Sequence, residues 1–103
     1  GRAYGCSFAI VRTGDRAPDL PVARYSREWQ MIWGGDWRRT PVAAEYEGRD
    51  ILEACAHLWP EALAGELIAA RDTPGAFAAR RSFETLYLYA PEQRLAAVVR
   101  YGD

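Results

Sequence analysis

The sequence predicts a single α+β domain spanning residues 1–103, with about five mainly antiparallel strands, two hairpins among them, packed against a central helical region. Three observations carry this reading. Segments rich in aromatic and branched residues stand toward the two ends of the chain with helical periodicity between them, a grouping that belongs to α+β folds and not to alternating doubly wound sheets. Gly34-Gly35-Asp36 and Ala90-Pro91-Glu92-Gln93 supply turn chemistry between apolar segments. The composition, 50% hydrophobic and 26% charged, is that of a chain that builds its own core.

Tyr4 to Arg12 read as a first strand, ended by the turn signal Thr13-Gly14-Asp15, with Phe8, Ile10 and Cys6 toward the core. Arg16 to Pro21, with two prolines, reads as a loop. Between Val22 and Trp33 two periodicities compete: Val22, Tyr25, Trp29, Ile32 and Trp33 fit a helix, whereas Trp29, Met31 and Trp33 alternate with polar residues as in a strand. The glycine pair favours the strand, because it allows a hairpin from Glu28–Trp33 to Trp37–Tyr46 with Trp33 facing Trp37. Pro41 cannot donate to a ladder, which makes the second arm an edge strand or places a bulge in it.

Asp50 is a helix cap, with Glu53 three residues on and Ile51, Leu52, Cys55 and Leu58 along one face. Pro60 opens a second helix whose stripe of Leu63, Leu67 and Ile68 runs to Arg71. Thr73-Pro74 repeats the cap-and-proline pattern, predicting a short third helix over Gly75 to Arg81. Phe83 to Tyr89 and Arg94 to Tyr101 form the C-terminal hairpin.

Charge and cysteine count narrow the function classes. The 13 cations, all arginine, nearly cancel 14 carboxylates, so no long-range field draws in a polyanion and any nucleic-acid contact must rest on a local patch. Without lysine, no Schiff base or P-loop chemistry is available. The lysine-free, arginine- and alanine-rich composition reads as the codon bias of a GC-rich bacterial genome. Cys6 and Cys55 alone are no disulfide framework and read as buried, inert thiols of a reducing, cytoplasmic setting. No apolar run approaches the roughly 20 residues of a membrane span, and no basic segment leads into an apolar one as in a signal peptide.

Catalytic signatures are weak. His57 has Glu53 and Glu61 at helical spacing, an arrangement common on solvated helix faces. Gly5-Cys6-Ser7 lacks the second glycine and the strand-to-helix context of a nucleophile elbow, and Gly34-Gly35 lacks a phosphate-loop frame. Glu45, Tyr46, Glu47, Arg49 and Asp50 form a polar cluster at the strand-to-helix junction, where a small ribonuclease without a histidine base has candidates. A helix-turn-helix in Leu63 to Phe83 offers few base-reading side chains. No catalytic residue, metal ligand or cofactor is therefore assigned.

Above this background stands the aromatic load, four Trp and six Tyr in so small a domain. Each large ring buries roughly 150–250 Å², so some are expected at the surface. Arg38-Arg39 lies among three of the tryptophans, and Trp, Tyr and Arg are the residues of interaction hot spots. The expected function is a small non-enzymatic binding or regulatory protein acting through Trp29, Trp33, Trp37, Arg38, Arg39, Trp59 and Tyr87. Its partner is another protein or a second copy of itself, with no membrane involved. The alternatives are nucleic-acid binding or ribonuclease activity through Arg and Glu side chains, with Arg80-Arg81 as a second arginine pair, and a small-molecule pocket lined by Trp29, Trp59 and Tyr87.

Overall fold

The computed structural model describes residues 5–13, 37–46, 48–82 and 84–102. Five strands form one antiparallel sheet: β1 (Gly5–Arg12), β2 (Arg38–Arg39), β3 (Phe77–Ser82), β4 (Thr85–Ala90) and β5 (Leu95–Gly102). Their order across the sheet is β1-β5-β4-β3-β2. Between β2 and β3 come α1 (Ile51–Cys55), a 3-10 turn (Ala56–Leu58) and α2 (Glu61–Asp72), which pack on one face of the sheet. The expected α+β class is the observed one.

Asp50 caps α1 as expected, its Oδ1 accepting the Glu53 amide at 3.1 Å. The helix holds for only five residues, so Ile51, Leu52 and Cys55 are buried while Leu58 is 51% exposed, which corrects its assignment to the core face. Tightening to a 3-10 turn before Pro60 rotates Leu58 away from the sheet. Pro60 then precedes α2 as the sequence indicated.

The third helix expected over Gly75 to Arg81 is not formed; Phe77–Ser82 is strand β3. Alanine-rich sequence favours a helix in isolation, but the tertiary partner decides here. Thr73 closes α2 by donating its amide and hydroxyl to the Ala69 carbonyl, and Gly75 at φ +116° turns the chain into register with β4. An alanine at 75 would have to adopt a conformation costing about 1–2 kcal/mol. Gly75→Ala is accordingly expected to lower the urea midpoint with the slope unchanged.

Two further expectations change. The second hairpin arm, expected over Trp37–Tyr46, pairs only at Arg38–Arg39, opposite Ala78 and Phe77. Pro41, after a cis peptide bond, cannot donate to a ladder and the arm stops there, leaving β2 outermost among the described strands. The first arm, Glu28–Trp33, and its glycine loop lie outside the described residues. Cys6 and Cys55, expected as free thiols, are joined in a disulfide. Cys6 pairs opposite Tyr101, on the side of β1 that faces α1, which brings the two Cα atoms to 5.9 Å.

The helix-side core joins Ile51, Leu52, Cys55, Trp59 and Leu67 to Leu86, Leu88, Leu95 and Val99. The opposite face is buried too, at Ala79, Tyr87, Tyr89 and Ala96. Burial on both faces explains why TLYLYA and LAAVV read as nearly continuous apolar runs instead of alternating ones. Arg71, in the last turn of α2, is only 3% exposed, with Nη1 2.6 Å from Asp50 and Nε 2.7 Å from Asp72. Among the described residues, no helix is long and apolar enough to cross a membrane.

Candidate functional site

Because β2 pairs with only two of the six β3 residues, the chain beyond it is free to fold back along the helix side of β3. Thr40, buried, fixes the departure: its amide donates to the Ala76 carbonyl at 2.9 Å and its hydroxyl accepts the Ala76 amide at 3.0 Å. The Val42 amide then donates to the Arg71 carbonyl at 3.2 Å. Tyr46 and Arg49 exchange backbone hydrogen bonds of 3.0 and 3.1 Å, which ends the segment at the start of α1.

Between this segment and β3 lies a cleft of about 400 Å³. Arg38, Tyr46, Arg80, Arg81 and Ser82 give it polar groups, while Val42, Ala43 and Leu86 give it an apolar side. Register explains part of the convergence. Arg38 pairs with Ala78, and Arg80 lies two residues along on the same face, so the two arginines are diagonal neighbours. Arg81 also borders the cleft, at the bulge between Arg80 and Ser82, while its guanidinium reaches toward Tyr87 on the other face.

Arg80 is the most constrained of the three. Its Nη2 donates to the Ala43 carbonyl at 2.9 Å, its guanidinium lies 5.1 Å from the centre of the Tyr46 ring, and its Nη1 is buried with no hydrogen-bond partner among the described residues. Burial pushes its pKa down from the ordinary arginine value, and the positive charge of Arg71 pushes the same way against the attraction of Asp50. The guanidinium stays charged at neutral pH, as arginine does. Arg81 donates to the Tyr87 hydroxyl at 3.2 Å.

The charge partners are distributed unevenly. Arg12 pairs with Glu66, Arg71 with Asp50 and Asp72, and Arg100 with Glu84. By contrast, no carboxylate among the described residues pairs with Arg38, Arg80 or Arg81, and none lines the cleft. Asp50, a candidate acid at the junction, is engaged by Arg71 and the α1 cap. His57 is exposed and does not line the cleft. Among the described residues, no three His, Cys, Asp or Glu side chains gather as metal ligands would.

The residues singled out from sequence fall in separate places. Trp29 and Trp33 lie outside the described residues. Trp37 is half-buried with its ring centre 6.3 Å from that of Tyr87, itself 7% exposed, on the sheet face away from the helices. Trp59 is in the helix-side core, edge-on to Phe8 at 5.5 Å, so it shares no pocket wall with Tyr87. Arg38 borders the cleft, and Arg39, also exposed, points to the opposite face. The cleft's remaining groups, Tyr46, Arg80 and Arg81, stood in the sequence as a junction cluster and a separate arginine pair; reading FAARRS with period two, as a strand, is the signal that brings Arg80 toward Arg38. Scanned against protein families, curated proteins and solved structures, the chain matches none of them.

Proposed function

We propose that this chain is a small non-enzymatic binding protein that docks an acidic segment of another protein at the β2–β3 edge, with Arg38, Arg80 and Arg81 as the recognition groups. The observation that carries the reading is the cleft bordered by three arginines and by no carboxylate of the described residues. Arg12, Arg71 and Arg100 are matched by internal carboxylates, whereas the cleft holds positive charge that a partner can neutralise. Tyr46, 47% exposed, adds a ring beside the guanidinium of Arg80, a pairing typical of interface hot spots. A second copy docked through the same patch would set arginine against arginine across a twofold axis, which favours a different protein as partner. The disulfide supports an oxidising setting for this function over the cytoplasmic one expected from two thiols.

Reversing charge at the cleft tests the proposal. Arg38→Glu with Arg81→Glu leaves the helix-side core untouched, and like-charge juxtaposition at an interface costs several kcal/mol. Immobilised wild-type chain is expected to retain an acidic protein from extract of its source organism, released by salt, and the double variant is expected to retain at least tenfold less. Equal retention by both would sink the proposal.

Single-stranded nucleic acid is the second reading, favoured by the exposed Tyr46 ring next to Arg80 as a stacking platform. It predicts binding of a labelled oligonucleotide at low salt that weakens steeply as salt rises.

A further inference from the structure

We infer that the centre of the arginine cleft is a phosphate-class oxyanion site, built to take a phosphorylated side chain of the partner. This rests on the docking reading above and specifies its chemistry. Two observations favour a phosphate monoester over a carboxylate. One arginine satisfies a carboxylate with two parallel hydrogen bonds, whereas a dianion with three terminal oxygens matches a cluster of guanidinium groups. Here Arg38 comes from β2 and Arg80 from β3, with Arg81, whose Nη1 also meets the Tyr87 hydroxyl, and Ser82 and Tyr46 at the margin. The Arg80 guanidinium is held in place, its Nη2 by the Ala43 carbonyl at 2.9 Å and its plane beside the Tyr46 ring. The guanidinium is therefore positioned before any ligand arrives.

The size of the site argues the same way. A cleft of about 400 Å³ is larger than a phosphoryl group alone, and its apolar side, Val42, Ala43 and Leu86, suits the carbon framework that carries the phosphoryl. No carboxylate of the described residues lines the cleft to repel a dianion.

The test is a titration of the whole, disulfide-intact chain, followed by backbone and arginine side-chain NMR at constant ionic strength. Methyl phosphate is compared with acetate, and a phosphoserine peptide with its glutamate counterpart and with adenosine monophosphate. Methyl phosphate is expected to bind at least tenfold tighter than acetate, with shifts confined to Arg38, Tyr46, Arg80, Arg81 and their neighbours. The phosphoserine peptide is expected to outbind both its glutamate counterpart and the nucleotide. Affinity should fall as pH drops through about 6, where a phosphate monoester loses its second charge while arginine does not titrate. Arg80→Gln and, independently, the exposed-site variant Arg38→Gln should each weaken methyl phosphate at least tenfold, and Arg100→Gln, away from the cleft, should not. Acetate binding as well as methyl phosphate, or shifts scattered over the surface, would overturn the inference. A nucleotide preferred over the phosphoserine peptide would keep the oxyanion site and overturn its assignment to a protein partner. If an acidic protein is still retained through Arg38 and Arg81 without phosphate selectivity, the oxyanion inference fails and the docking reading stands; if neither is seen, both fail.

Discussion

Reduction of the Cys6–Cys55 bond is expected to lower the unfolding free energy by about 4 kcal/mol, the chain-entropy value for a loop of the 49-residue separation the bond closes. Small domains have only about 5–15 kcal/mol in total, so this is a large share. The local effect should be equally clear. β1 is an edge strand whose residues are mostly exposed, joined among the described strands only to β5. Its remaining anchors to the helices include the Phe8–Trp59 contact and the half-exposed Arg12–Glu66 pair. An exposed pair of that kind contributes well under about 1 kcal/mol. Without the bond, β1 should therefore be the first element to exchange its amides. Urea unfolding with and without reductant, alongside the Cys6→Ser/Cys55→Ser double variant, measures the effect. Both routes should give the same loss, and coincident curves for oxidised and reduced protein would refute it.

A second large effect is expected at Asp50. One carboxylate serves two helices: Oδ1 caps α1 through the Glu53 amide and receives the Arg71 guanidinium of α2 at 2.6 Å. Asp50→Ala removes a cap worth about 1 kcal/mol and strips a nearly sealed guanidinium of one of its two counter-charges, a loss of roughly 3–5 kcal/mol for a broken buried pair. Asp72, half-exposed, offsets part of it, so about 3 kcal/mol is the expected fall in urea unfolding, and a loss below about 1 kcal/mol would show the pair to be dispensable. Arg71→Met should cost less, because it removes the buried charge itself and leaves the cap in place. The same network shapes the acid limb. The hydrogen bond from Arg71 holds the Asp72 carboxyl below its ordinary value of 3.8, although desolvation opposes this. The folded-state pKa thus lies below the unfolded one, so this stabilisation is complete above pH 3.8 and is lost as pH falls through the lower folded value. Asp72→Asn should flatten that part of the acid unfolding curve.

Much of the framework was legible because it depends on neighbours in sequence. The Asp50 cap, the proline start of α2, the C-terminal hairpin and the edge position that Pro41 imposes follow from local rules. The misreadings share a cause, which is dependence on distant partners. Phe77–Ser82 has the composition of a helix and becomes a strand because β4 is there to pair with it. The disulfide depends on β1 pairing with β5, which sets Cys6 over α1 across 49 residues. Arg71 stands in the sequence only as the end of the apolar stripe of α2, and its burial depends on Asp50, which meets it from 21 residues away. The candidate site divides in the same way. Arg38 was visible as an arginine on an edge strand, but its grouping with Arg80 and Tyr46 required the strand register and the fold-back after Pro41.

Alanines flank the bulky residues of β4. Leu88 stands between Ala78 and Ala97, Tyr87 has Ala79 on one side, and Tyr89 has Ala96. Thickness in this sheet is therefore shared out between adjacent strands, with a wide central strand seated in the shallow troughs its neighbours leave. Sequence drift in such an arrangement is constrained by the summed volume of each cross-strand row: a methyl group exchanged for a ring in β3 is tolerated when the facing ring in β4 shrinks, and wedges the layers apart when it does not.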